Sequence, residues 1–449
     1  MNLTAQLAAR AKAGMPVRVA LIGAGKFGSM FLSQIPTIPG LEVRVIADLD
    51  VERARAACLS VQWDPTRLAR TQFTNDPISG CSTEDVDVVI EATGDPHAGI
   101  AHALAAIDAS KPIVMVNVEA DALAGPLLAR KAREKGVVYS MAYGDQPALI
   151  AELVDWARAT GFEVAAAGKG TKYLPDYHWV TPDQVWSHYG LTEEQAREAG
   201  MNAHMFNSFL DGTKSALEMA AVANACDLDV PENGLAFPPC GADELPQVLK
   251  SRAAGGLLKR DGMVEVVSSL QRNGQPVARD LRWGVYVVIR APNDYAAACF
   301  SQYGMNIDDT GRYAAMYRPF HLIGLELSIS VLQTALNQQA TGSPRCWRGD
   351  VVAVAKHLLR RGDILDGEGG YTVFGKLIPA KRSLRMNALP IGLAARAKIN
   401  REIQAGDFIT FDDVSLDETT PGYRLRREME RASEILKPSE SDIDVFDRL

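Results

Sequence analysis

Much that would declare a purpose is missing from these 449 residues. The six cysteines, Cys58, Cys81, Cys226, Cys240, Cys299 and Cys346, include no C-x-x-C pair, which argues against a zinc knuckle or a redox dithiol and fits buried free thiols in a reducing cytosol. No window of about 18 apolar residues occurs, so nothing reads as a membrane span. The first stretch, "MNLTAQLAARAKAGMPVR", lacks the unbroken apolar run of a signal peptide and reads as a short amphipathic helix. These absences point to a cytoplasmic protein. Basic charge is also short: 47 Lys and Arg against 55 Asp and Glu leave a net charge of −8, which argues against nucleic acid as the main partner. No H-x-x-x-H, H-E-x-x-H or clustered-carboxylate pattern occurs, so no fixed metal site is indicated, and an assisting divalent ion is left open.

What is present is the balance of a globular protein, 47% hydrophobic and 23% charged, at a length that favours two or three domains. From Val17 to Val138 the runs "VRVALIG", "EVRVIADLD", "VDVVIEATG", "PIVMVN" and "VVYSMAYG" alternate with helical stretches. That alternation predicts an α/β, Rossmann-type domain with a parallel sheet over residues 1–160. From Phe162 to Gln339 strand-like segments ("EVAAAGKG", "WGVYVVIRAP", "AAMYRPFHL") are interrupted by one long helical pattern from Thr192 to Ala225. This reads as an α+β catalytic domain, residues 161–345, whose irregular stretch "PENGLAFPPCGADELP" is expected to border a cleft. After the break "QQATGSPRCWRGD" an internal echo, "VVAVAKHLLRRGDILDGEGGYTV" and "GLAARAKINREIQAGDFITFDDV", marks a small β-rich domain from Asp350 to Leu416. Residues 346–449 form this last domain and an acidic tail, "KPSESDIDVFDRL", left unassigned or as a docking segment.

Gly23-Ala24-Gly25-Lys26-Phe27-Gly28 matches G-x-G-x-x-G, follows the strand Val17–Ile22 and precedes a helical pattern near Phe27. Asp48 ends the next strand about 20 residues on, which completes the dinucleotide fingerprint. In that fingerprint Gly23 makes the tight turn, Gly25 lets the backbone approach a pyrophosphate, and Gly28 allows close helix packing. A carboxylate at Asp48 accepts hydrogen bonds from the adenosine ribose and repels a 2′-phosphate, favouring NAD over NADP; alternatively Asp48 caps the following helix. Two later strand ends, "EATGDP" with Ala92, Thr93 and Gly94 and "MVNVEAD" with Asn117 and Glu119, fall where an open parallel sheet binds ligands. Glu119 either orients a carboxamide or substrate hydroxyl, or caps a helix.

Candidates for chemistry lie further on. "AAAGKGTKY" sets Lys169 between two glycines, which predicts an ammonium projecting into open space to hold an anion or give a proton to a carbonyl oxygen. In "NSFLDGTKSALEMAAVANACDL", Asp211, Lys214 and Glu218 recur at i, i+3 and i+7, which puts three ionisable groups near one helix face, either at a semi-buried site or on a solvated salt-bridge face. "YRPFHL" groups Arg318, a planar anion binder, with His321, which titrates near neutral pH.

These segments, together with "LPIGLAARAKI" and in the same order over nearly the whole chain, resemble the 1-deoxy-D-xylulose 5-phosphate reductoisomerase-like (DRL) family, itself similar to homoserine dehydrogenases and carrying a C-terminal SAF domain. The resemblance implies a Rossmann domain, a catalytic domain that also forms the homo-oligomer contact, and an appended SAF module. It implies that Lys169, Lys214, Arg318 and His321 line a substrate pocket near the nicotinamide. In the family's characterised reaction a keto-sugar phosphate is isomerised and the resulting aldehyde is reduced with NADPH. Asp48 departs from that cofactor choice, and the aromatic-rich "TKYLPDYHWVTPDQVWSHYG" reshapes the substrate end. The reading is an NAD(P)-dependent oxidoreductase acting on a small, polyhydroxylated, anionic substrate. Its rivals are a homoserine-dehydrogenase-like enzyme and an NAD-binding sensor with a SAF ligand module.

Overall fold

The computed structural model describes residues 2–432, so the acidic tail from Lys437 lies outside the described residues. The chain divides into two compact units, one of residues 1–151 and 321–345, the other of residues 152–320 and 346–449. The sequence reading drew three consecutive segments, 1–160, 161–345 and 346–449. The residue pattern does not disclose that the chain returns to its first unit after Phe320.

In the first unit the β-branched runs form six parallel strands: β1 (Val17–Ile22), β2 (Leu41–Ala47), β3 (Gln72–Thr74), β4 (Val88–Glu91), β5 (Ile113–Met115) and β6 (Tyr139–Met141). Their order, β3-β2-β1-β4-β5-β6, places β1 and β4 side by side at the centre, the order of a doubly wound dinucleotide-binding sheet. After β2, β3, β4 and β5 the chain enters a helix through an Asp or Asn whose side chain accepts a backbone N–H: Asp50, Asp76, Asp95 and Asn117. Such caps satisfy donors that a helix start leaves orphaned. The helix Ser328–Asn337 completes this unit, with Leu327, Val331 and Leu332 in the same core as Val19, Leu21 and Ile90.

The second unit is layered around a five-stranded mixed sheet of β7 (Glu163–Thr171), β8 (Met263–Ser268), β9 (Val285–Arg290), β10 (Asn306–Ile307) and β11 (Tyr313–Arg318), ordered β10-β11-β9-β7-β8. Period-2 alternation sorts its faces: Tyr286, Val288, Tyr313 and Ala315 join one core with Leu245, Leu249 and Leu258, so Val285, Val287 and Met316 point the other way. The helical pattern expected as one run from Thr192 to Ala225 is three helices, Glu193–Glu198, Ala203–Leu210 and Thr213–Cys226. Breaks at Gly200 and Gly212, both at positive φ, separate them. Every residue of Thr213–Cys226 except Lys214 is buried. Alanines all round let this helix lie between the five-stranded sheet and the antiparallel pair β12 (Gly349–Ala355) and β13 (Val373–Pro379).

The echo seen in the sequence is a structural two-fold. Leu359 and Ile403 exchange both backbone hydrogen bonds, and at the same offset of 44 residues Gly362 N–H donates to Ile399 O while Gly406 N–H donates to Ala355 O. Leu365 N–H to Ala397 O and Ile409 N–H to Ala353 O repeat the relation. Each copy completes the other's ladder.

Candidate functional site

The glycine loop takes three shapes for three purposes. Gly23 sits at φ +95°, and a Cβ there would stand 2.7 Å from Ala92 O; a Cβ at Gly28 would stand 2.5 Å from Gly23 O. Both positions are closed by the protein's own backbone. Gly25, at φ −71° as the cap of the helix Lys26–Gln34, has nothing within 4 Å of where its Cβ would be. The open side of the loop therefore faces away from the fold, with the free N–H groups of a nine-residue helix beside it. These residues fit a dinucleotide pyrophosphate.

Asp48 stands beside that loop. It is 8% exposed, and its carboxylate accepts from Ala24 N–H (2.9 Å), Asp50 N–H (3.0 Å) and Arg53 Nη2 (2.7 Å). Those hydrogen bonds and the Arg53 charge outweigh burial and hold the carboxyl below its ordinary range. The helix after β2 is capped by Asp50 and not by Asp48. Arg53, which the sequence reading passed over, leaves 61% of its side chain exposed beside the Asp48 carboxylate. The signal was its place one helical turn after the strand end.

Beneath the loop after β4 lies a buried network that sequence reasoning also missed. Glu91, wholly buried, accepts from Thr93 Oγ1 (2.5 Å) and lies 3.1 Å from His102 Nδ1. Asn117 donates to Asp95 O (2.8 Å) and accepts from Ala120 N–H, capping the helix Val118–Glu134. The side chains of Thr93 and Asn117 are thus engaged within the unit, and Ala92 N–H donates to Ile22 O at 2.8 Å, leaving Gly94 to offer backbone. Gly94 sits at φ +78° with open space around it. Glu119 falls in the first helical turn after Asn117, which is the cap.

In the second unit Lys169 contradicts its expected exposure. It is 6% exposed and forms an ion pair with Glu218, 4% exposed, on the helix Thr213–Cys226. The flanking glycines serve packing and do not clear space: a Cβ at Gly168 would meet Glu265 O at 1.8 Å, and one at Gly170 would meet Leu281 O at 1.9 Å. Lys169, Val285 and Arg318 occupy one cross-strand row, Lys169 opposite Val285 and Val285 opposite Arg318, so all three share the face that Glu218 covers. Lys214 lies one turn before Glu218 on the same side of its helix. Lys169, Glu218 and Lys214 thus lie on the helix side of the sheet, and Arg318 shares that sheet face two strands away. Arg318 also lies 5.0 Å over the Phe320 ring. His321 belongs to the other compact unit.

Asp211 does not share that face. It ends the helix Ala203–Leu210, accepts from Thr213 N–H (2.9 Å) and pairs with Lys356 at 2.8 Å. Lys356 follows β12 and also donates to Val180 O and Gly370 O, both at 2.8 Å. Burial raises the Asp211 carboxyl against the pull of Lys356. His178 Nδ1 stands 2.6 Å from Asp211 O; a carbonyl only accepts, so Nδ1 carries the hydrogen and Nε2 accepts from Tyr173 O–H at 3.0 Å. Burial lowers this imidazole's basicity. The arrangement is a structural lock, with His178 stacked on Phe374 at 4.6 Å.

A family model described as oxidoreductase DRL, catalytic domain, matches residues 144–327. No curated protein matches the chain in sequence. Among solved structures, an oxidoreductase domain protein from Kribbella flavida is 19% identical over 35% of this chain, with a TM-score of 0.26, and the chain spans only 44% of that protein. A DOX-P reductoisomerase solved with fosmidomycin and magnesium is 17% identical over 47% of this chain and 58% of its own, TM-score 0.34. A myo-inositol dehydrogenase from Lactobacillus casei is 15% identical over 61% of this chain and 71% of its own, TM-score 0.31.

Proposed function

We propose that this chain, whose residues 144–327 match the model of the DRL oxidoreductase catalytic domain, transfers a hydride between a nicotinamide dinucleotide and a small, polyhydroxylated, anionic substrate. The observation that carries the reading is the glycine loop, closed at Gly23 and Gly28 and open at Gly25. The N–H groups after Gly25 hold the pyrophosphate, and Asp48 takes the adenosine ribose, which makes NAD the preferred cofactor. When bound, the dinucleotide supplies the hydride donor or acceptor.

Lys169 or Lys214 handles the proton of the reacting hydroxyl. The Glu218 carboxylate pairs with the Lys169 amine and aims it, both being nearly sealed from water. A cation fixed beside an oxygen that gains negative charge during hydride transfer lowers the barrier by about 3 kcal/mol per donor. Arg318 holds the substrate's anionic group through the two-pronged geometry of its guanidinium.

Substituting Gly25→Ala tests the reading. The backbone angles at Gly25 suit alanine and no atom crowds the new methyl, so the melting temperature should not fall. The methyl would stand where a phosphate must meet the backbone, so calorimetry should show NAD affinity reduced at least about tenfold. Unchanged NAD affinity in the variant, or no uptake of NAD or NADP by the unaltered chain, refutes the assignment.

A further inference from the structure

Lys172 leaves the end of β7 where a tight turn crosses it. The turn Leu281–Gly284, closed by Gly284 N–H to Leu281 O at 2.8 Å, carries Arg282 and Trp283 at its corners. It lies directly on Gly170, whose N–H donates to Gly284 O at 3.1 Å and whose missing Cβ makes room for Leu281 O. The second glycine of G-K-G thereby brings Arg282 to Lys172. Both cations face one ring: Lys172 Nζ lies 5.6 Å and Arg282 Cζ 5.8 Å from the centroid of Tyr189. Lys172 donates to the carbonyl of His188, whose imidazole meets Tyr177 edge-on at 5.0 Å.

Positive groups are therefore packed together without a counter-charge. Among the described residues no carboxylate lies within ion-pair distance of the Lys172 or Arg282 side chain, and Asp280, two positions away, accepts the backbone N–H of Arg282 instead. Burial and the Arg282 charge lower the Lys172 ammonium below its ordinary range, and burial with the Lys172 charge does the same to His188. An anion placed among them relieves the repulsion and supplies acceptors for their donors.

We propose that Lys172, Arg282 and His188, walled by Tyr177 and Tyr189, form a seat for a doubly charged tetrahedral oxyanion of the phosphate type. A guanidinium fork and an ammonium point charge suit two or more oxygens of a dianion, whereas a carboxylate brings one charge to the same cluster. The seat goes beyond the dinucleotide reading and does not depend on it.

The test is calorimetric titration of the full chain with inorganic phosphate, with glycerol 3-phosphate and with acetate, each without NAD and with NAD present. Phosphate should bind at least tenfold more tightly than acetate. Arg282→Met and Lys172→Met should each weaken phosphate at least tenfold while NAD affinity is unchanged, and Arg282→Lys, which keeps the charge and loses the fork, should fall between the unaltered chain and Arg282→Met. Should a methionine variant fold poorly, the His188 imidazole of the unaltered chain, followed by NMR against pH, should titrate at higher pH once phosphate is added. Glycerol 3-phosphate separates the sources: tighter binding than inorganic phosphate marks a group carried on a ligand, equal or weaker binding the free ion. No phosphate binding, equal binding by Arg282→Met, or a His188 titration that phosphate does not move overturns the proposal. Failure of NAD alone to bind overturns only the dinucleotide reading.

Discussion

Replacing Lys356 by methionine removes the only cation paired with Asp211 among the described residues. Both side chains are buried, at 2% and 0% exposure, and the lysine also serves two carbonyls, Val180 O and Gly370 O. Removing one partner of a buried ion pair costs about 3–5 kcal/mol, because the remaining charge is left without compensation. Guanidinium unfolding followed by tryptophan fluorescence reads this unit selectively, since Trp156, Trp179, Trp186, Trp283 and Trp347 all belong to it and Trp63 alone does not. The double variant Asp211→Asn/Lys356→Met carries neither charge, so its loss should fall short of the sum of the single losses by about 1–3 kcal/mol. The sign of the pH effect follows. Burial already raises the Asp211 carboxyl, and without Lys356 it rises further, so the folded variant holds a proton that the unfolded chain releases. Its deficit therefore grows from pH 5 to pH 8. A loss under about 1 kcal/mol for Lys356→Met, or strictly additive losses, would refute the claim that this pair ties the end of β12 to the end of the helix Ala203–Leu210.

The remaining expectations concern the first unit. Arg53→Ala leaves Asp48 unpaired beside the glycine loop, so affinity for NADP should drop about tenfold relative to NAD in parallel calorimetric titrations; an unchanged ratio would mean that Arg53 takes no part in cofactor choice. Asp121, buried with Tyr139 O–H on one oxygen at 2.8 Å, is pushed by burial up to about 7. Its folded value lies above the unfolded one, so stability declines as pH rises between those values. Asp121→Asn should flatten that decline and exceed the unaltered chain by about 2 kcal/mol at pH 8. Parallel pH profiles in thermal unfolding would sink that account.

Elements whose signal is local were legible from the residues. Five of the six strands of the first sheet follow from β-branched runs, β3 (QFT) having no such run, and the G-x-G-x-x-G turn follows from its own spacing between strand and helix. The echo in residues 351–413 was legible for the same reason, although pattern alone did not show that its copies bond to each other. What stayed hidden depends on distant partners. Lys169 between glycines reads as exposed until Glu218, 49 residues on, is seen to cover it, and Asp211 at helical spacing from Lys214 reads as its companion until Lys356 claims it. Glu91 and His102 carry no motif, because a buried carboxylate–imidazole contact is set by how β4 packs on the following helix. Lys172 and Arg282 are 110 positions apart and meet only through the turn on Gly170.

The interlaced copies near the C-terminal end have a bearing on biosynthesis. Residues 353–365 emerge well before residues 397–409, which supply their backbone partners, so the earlier copy has nothing to pair with while the later one is still in the ribosome. Asp211 likewise waits for Lys356, which is made 145 positions later. Residues 353–365 therefore gain these backbone partners only once residues 397–409 are made, and a stop before Ala397 would leave Ala353 and Ala355 at β12 without them.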